Sequence, residues 1–176
     1  MSCLEELSKK KYKWEYVFTL QNDDIQIKTN EEIIRILKWL GGANDVQYQL
    51  DQEELIKNVS KKFNWTFKDL KLFRDVDTNG KPLSLKISKG LVQASLARPF
   101  VDFIVQKLDL TQLLHHINNC GEYACDELFF QTLVATDVLK APNSFTHKCL
   151  DKNIYTPYFS RLVYFKNILF LLWNLI

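Results

Sequence analysis

Residues 14–33 read WEYVFTLQNDDIQIKTNEEI, and this stretch decides the fold class. Residues 16–20 (YVFTL) are β-branched and aromatic, the composition of a buried strand. The polar run Gln21-Asn22-Asp23-Asp24 ends that strand in a turn. Thr29 then precedes Glu32 by three residues, the spacing of a capping box, and Glu31 and Glu32 suit the positive end of a helix. Beyond it Ile33, Ile34, Ile36, Leu37 and Leu40 line one broad apolar face, and Gly41-Gly42 supplies the stop. Strand, loop and helix together predict an α/β unit, whose ligands gather where strand C-termini meet loops.

Further along, residues 43–65 are polar and mixed, with a helix expected over 52–62. Asp75-Val76-Asp77-Thr78-Asn79-Gly80 contains Asn-Gly, the strongest short hairpin signal. Residues 83–87 and 91–96 read as strands on either side of Gly90. Pro99 opens a helix running to Lys107, with Phe100, Val101, Phe103, Ile104 and Leu108 facing inward. Residues 110–118 form a second short helix. Asp126 is expected to cap a third over 127–134, and Pro142 breaks the chain after it. No internal repeat or low-complexity linker interrupts the 176 residues, which suit one domain.

Composition narrows the function classes. A chain that is 47% apolar and 25% charged has the make-up of an ordered globular domain. Its net charge of +2 offers no footprint for nucleic acid, and the cluster Lys9, Lys10, Lys11 and Lys13 reads as a solvated helix end. Cys3, Cys120, Cys125 and Cys149 lack Cys-x-x-Cys spacing, which argues against structural zinc and leaves any disulfide pairing open. Asn58-Val59-Ser60 and Asn64-Trp65-Thr66 are glycan acceptors for a chain in the secretory lumen. No signal peptide is visible over residues 1–20. The apolar run 162–176 falls about five residues short of a bilayer span of roughly 20, and a buried terminal helix is expected there. Asp75-Val76-Asp77 has the Asp-x-Asp form that can hold a divalent ion on a diphosphate, yet beside Asn79-Gly80 it reads as a solvated turn. His115 and His116 are adjacent and point to different helix sides, unlike a chelating i, i+4 pair.

Three segments carry a resemblance. In residues 14–33, Asp24, Ile27, Lys28, Thr29 and Asn30 match a strand ending in aspartate before a Pro-Ile-Lys-Thr-Asn type sequence, with Gln26 at the usual proline. Residues 86–105 (KISKGLVQASLARPFVDFIV) match a strand with a small-residue turn before a helix. Residues 121–133 (GEYACDELFFQTL) and 139–150 (LKAPNSFTHKCL) match an Asp-Glu helix and a Pro-Gly-Ser-Phe type loop, with Asn143 at the glycine place. In order and spacing this set resembles the core-2/I-branching N-acetylglucosaminyltransferase family over residues 1–161.

That resemblance implies a partial nucleotide-sugar transferase domain, a GT-A-like α/β variant with a mixed sheet and flanking helices. Residues 1–161 would form it, with 162–176 a divergent apolar tail. It also implies inverting, metal-independent transfer of N-acetylglucosamine from UDP-N-acetylglucosamine to the 6-hydroxyl of a glycan or glycoprotein acceptor, on the lumenal side of the Golgi membrane. Glu127 matches the family's catalytic base. Asp24, and with it Asp126, falls where the sugar or nucleotide pocket is expected, although a turn and a cap are the plainer readings of these two residues. Gln47 stands near a glutamate that contacts acceptor in the family. The family's anchor and stem, its upstream half, the upstream partner of Cys3 and the downstream basic residues that neutralise the diphosphate have no counterpart in the 176 residues, so Cys3 is expected to be unpaired. Loss of those cations would lower transition-state binding by several kcal/mol, on the order of the effect of removing an oxyanion donor. The alternatives are a related xylosyltransferase and a non-catalytic remnant that binds glycan or a partner.

Overall fold

The chain begins with helix α1 (Ser2–Ser8) and then enters strand β1 (Tyr16–Thr19), whose residues are all half-buried. These elements come from a computed structural model that describes residues 1–11, 13–22, 24–49, 52–73, 75–152, 154 and 157–160. Helix α2 (Asn30–Trp39) starts with the expected capping box. Thr29 Oγ1 accepts the Glu32 amide at 3.2 Å, and Glu32 Oε2 accepts the Thr29 amide at 2.8 Å. Gly41 and Gly42 follow with φ of 59° and 90°, so the helix stops where a left-handed residue is tolerated. Its face of Ile33, Ile34, Ile36, Leu37 and Leu40 is in no case fully buried, which the amphipathic pattern alone did not predict.

Strand β2 (Asp45–Val46) and helix α3 (Glu53–Lys62) come next, followed by a stretch of turns and isolated bridges that leads to strand β3 (Ala94–Ala97). The sheet order is β1-β3-β2, with Tyr16 opposite Ala97, Thr19 opposite Ala94 and Asp45 opposite Ser95. Both pairings are antiparallel, so among the described residues the sheet is not the mixed one expected. β1 lies at an edge rather than in the interior, and Leu20 beyond it is 65% exposed. Central β3 is fully buried; its Ala94, Ser95 and Ala97 leave room for close packing from both faces.

Helix α4 (Arg98–Gln106) follows β3 directly, with Pro99 in the first turn and Phe100, Val101 and Ile104 buried. Ser8 fastens α1 to α4, donating to Asp102 at 2.7 Å and accepting from Gln106 at 2.8 Å. Helix α5 (Thr111–Asn118) leads to a disulfide loop between Cys120 and Cys125, while Cys3 and Cys149 are free. A 3-10 turn (Cys125–Leu128) then feeds helix α6 (Phe129–Ala135), which is buried along its whole length. Short helix α7 (His147–Leu150) closes the regular structure. Leu96, Phe100, Ile104, Leu113 and Leu133 form the fully buried centre, where apolar burial supplies the main stabilisation. The apolar run 162–176 lies outside the described residues.

Two expectations for this half of the chain need correction. Residues 83–87 and 91–96 are not a pair of strands; only 94–97 joins the sheet. Asp126 does not cap a helix over 127–134, because it sits exposed inside the 3-10 turn. The turn is entered through Ala124 in the left-handed conformation (φ 58°), and no side chain caps it. With Cys120 bonded to Cys125, the chain reverses tightly before α6 begins.

Candidate active site

Residues 86–93 run as an extended strap between the 45–49 segment and α6, held largely by side chains. Thr136 Oγ1 accepts the Lys86 amide at 2.9 Å, and Thr132 Oγ1 accepts the Ser88 amide at 3.1 Å. Gln47 Oε1 accepts the Leu91 amide at 3.2 Å, and Gln131 Nε2 donates to Leu91 O at 2.6 Å. Tyr158 Oη donates to Gln93 O at 2.5 Å. With its backbone groups satisfied in this way, residues 86–92 have no need of a neighbouring strand and stay out of the sheet, whereas residues 83–85 bond to the main chain of Trp65, Phe67 and Asp75. Gly90 lies at the narrowest point: a Cβ there would overlap Gln47 O and lie 2.7 Å from the Gln47 carbonyl carbon.

Glu127 is the residue on which the strap converges. Its carbonyl accepts the Gly90 amide at 3.2 Å, and its carboxylate Oε2 meets Lys89 Nζ at 2.5 Å. The Lys89 side chain is only 5% exposed and that of Glu127 19%, so the pair sits at the rim of the interior. Lys89 Nζ also donates to Ala124 O at 3.1 Å, which ties the pair to the disulfide loop. A carboxylate on a rigid turn, largely withdrawn from water, is suited to accepting a proton from a bound alcohol.

The other sequence candidates occupy different settings. Asp24 is exposed and its Oδ2 accepts the Gln21 amide at 2.8 Å, a turn contact at the tip of β1. That tip is nevertheless linked to the strap, since Gln93 Nε2 donates to Gln21 Oε1 at 2.8 Å. Asp126 faces solvent next to Glu127. Asp77 accepts the Asn79 and Lys81 amides at 2.8 and 2.9 Å, and these two bonds hold its carboxyl below the usual range. Asp-x-Asp is therefore a turn element. His116 stacks on Phe63 with ring centres 4.4 Å apart. Asn58 lies exposed on α3, and Asn64 lies exposed in the following loop, where its Oδ1 accepts the Thr66 amide at 3.1 Å.

Lys89, Gly90, Gln131 and Thr132 were not singled out from the sequence. The signal was weak: Lys89-Gly90 lies between the apolar Ile87 and Leu91, and a buried lysine is rare without a partner. Gln131 and Thr132 are polar residues within the apolar Phe129–Ala135 stretch, and that is the one hint that α6 bonds to backbone nearby.

Comparisons with known proteins identify the family. The family model described as Core-2/I-Branching enzyme matches residues 1–165. A rat protein named beta-1,3-galactosyl-O-glycosyl-glycoprotein beta-1,6-N-acetylglucosaminyltransferase 3 is 23% identical over 133 residues, 76% of this chain and 30% of the relative. The mouse N-acetyllactosaminide beta-1,6-N-acetylglucosaminyl-transferase is 26% identical over 141 residues, 76% of this chain and 33% of the relative. Xylosyltransferase oxt of Drosophila pseudoobscura pseudoobscura is 23% identical over 167 residues, 92% of this chain and 18% of the relative. The chain thus spans a third or less of the length of these relatives. With the family model covering nearly the whole chain, this protein belongs to the core-2/I-branching enzyme family.

Proposed function

We propose that this chain is the base-bearing part of an inverting glycosyltransferase that moves N-acetylglucosamine from UDP-N-acetylglucosamine to the 6-hydroxyl of an acceptor glycan on the lumenal side of the Golgi membrane. The observation that carries the reading is the Glu127 carboxylate, held on a rigid turn at the rim of the core by Lys89 and Gly90. A sugar hydroxyl is a weak nucleophile. In the proposed step Glu127 takes its proton as the oxygen bonds to the anomeric carbon from the face opposite the diphosphate. The bond from that carbon to the diphosphate oxygen breaks in the same displacement, and UDP leaves with the electron pair. The relatives' names support the sugar and the linkage, and the reading needs no metal ion.

A xylose donor is the second reading, favoured by the xylosyltransferase relative whose match reaches 92% of this chain. The test is transfer from UDP-N-acetylglucosamine or UDP-xylose to an O-glycan core acceptor, run beside UDP-dependent thermal stabilisation. Glu127→Gln is expected to lower transfer by at least about a hundredfold, the usual scale for a general base; survival within about tenfold refutes the assignment. From sequence this variant would be expected to fold unchanged. The structure alters that expectation, because the amide leaves the Lys89 ammonium without its counter-charge. Absence of both transfer and UDP-dependent stabilisation refutes the enzyme reading and leaves glycan or partner binding.

A further inference from the structure

We infer that Lys89 is the positioning residue for the Glu127 carboxylate, an assignment that rests on the transferase reading above. A lysine head normally reaches water along its flexible stem, and turning it inward is unfavourable unless acceptors meet it. Here the side chain is 5% exposed and the ammonium meets two acceptors, Glu127 Oε2 at 2.5 Å and Ala124 O at 3.1 Å. Ala124 offers that carbonyl from a left-handed position inside the loop closed by Cys120 and Cys125. One residue along, the Gly90 amide holds the Glu127 carbonyl at 3.2 Å.

The Lys89-Gly90 dipeptide therefore grips Glu127 by its main chain and its side chain together. A glutamate has three rotatable side-chain bonds, and a base that wanders among rotamers loses the alignment from which proton transfer gains its rate. Pinning Oε2 restricts the rotamers open to the carboxylate and leaves Oε1, which among the described residues has no hydrogen-bond partner, to receive the acceptor proton. Lys89 acts through Glu127 in this role and does not touch the reacting atoms.

A purely structural ion pair makes a different prediction, so the test separates the two. In the full chain, Lys89→Met is expected to lower kcat by at least about thirtyfold while donor and acceptor KM stay within about threefold. Methylammonium is expected to restore part of the kcat of Lys89→Ala. Rates are normalised to the folded fraction, and a normalised kcat within about threefold of wild type overturns the positioning role. Thermal melts of Lys89→Met, Glu127→Gln and the double variant keep the grip falsifiable even where a single variant folds poorly. Each single change is expected to lower Tm by about 5 °C or more, and the double by less than their sum. Additive losses overturn the pairing. A wild-type chain without turnover refutes the transfer reading and the positioning role with it, whereas the melts still judge the grip alone.

Discussion

Replacing Gly90 with alanine tests the strap directly. The new Cβ would overlap Gln47 O and come within 2.7 Å of the Gln47 carbonyl carbon, against an ordinary contact of 3.4–4 Å, with Gln131 Cγ at 3.2 Å on another side. Two of the three neighbours are backbone atoms, so no rotamer change relieves the clash. The strap must separate from residues 47–49 by roughly the missing distance, and that movement breaks or stretches three hydrogen bonds. These are Gln49 N to Lys89 O at 2.9 Å, Gly90 N to Glu127 O at 3.2 Å and Leu91 N to Gln47 Oε1 at 3.2 Å. Overpacking costs about 1–3 kcal/mol and each lost bond about 1 kcal/mol, so a destabilisation of about 4–6 kcal/mol is expected. For a domain of this size that lowers Tm by about 8–24 °C, read from thermal unfolding by circular dichroism. Gly41→Ala is the control, because nothing lies within 4 Å of its Cβ and only its φ of 59° resists the change. It should cost about 1 kcal/mol. A Gly90→Ala chain melting within about 2 °C of wild type would refute the tight passage between strap and 47–49 segment.

Other outcomes follow from local chemistry. The Thr29 amide, and then Lys28, hold the Glu32 carboxyl below its ordinary 4.5, so its stabilising contribution is fully present above that value and disappears as pH falls through the lower folded one. Glu32→Gln should accordingly lower Tm at neutral pH, and the gap from wild type should narrow as pH falls below the ordinary 4.5 and close once the folded carboxyl is protonated; a gap that persists in strong acid contradicts the capping account. Thiol titration of the native chain should find Cys3 reacting quickly and Cys149 slowly, with Cys120 and Cys125 reacting only after reduction. Routed through a secretory lumen, the chain should carry glycan at Asn64, which sits in an exposed loop, in preference to Asn58 on the α3 surface. Asn64→Gln then abolishes the glycosidase-sensitive mobility shift, and its persistence points to Asn58.

Local signals were legible wherever the deciding partner lay a few residues away. The Thr29–Glu32 box, the Gly41 stop, the Pro99 start of α4 and the Asp77 turn all form as residue type and spacing dictate. The candidate base came from family resemblance alone, and the structure places it on a turn beside the core. Long-range partners were not legible. Nothing near Asp126 in sequence announces that Ala124 adopts a left-handed conformation, and nothing near Lys89 names an acceptor 38 residues away. The strand expectations for 83–87 and 91–96 failed, except at residues 94–96, for the same reason. Alternating apolar residues report burial, but whether backbone bonds run to a strand or to threonines on a helix depends on what packs alongside.

The strap also determines where this protein resists sequence change. In a sheet, main chain holds main chain, and side chains are free to drift as long as they fit. Along residues 86–93 most of the holding groups are the hydroxyls of Thr132, Thr136 and Tyr158 and the amides of Gln47 and Gln131, so identity largely replaces ladder geometry as the constraint. A saturation mutagenesis screen for abundance should therefore show an inverted profile on α6, with its few polar positions less replaceable than the leucine and valine beside them.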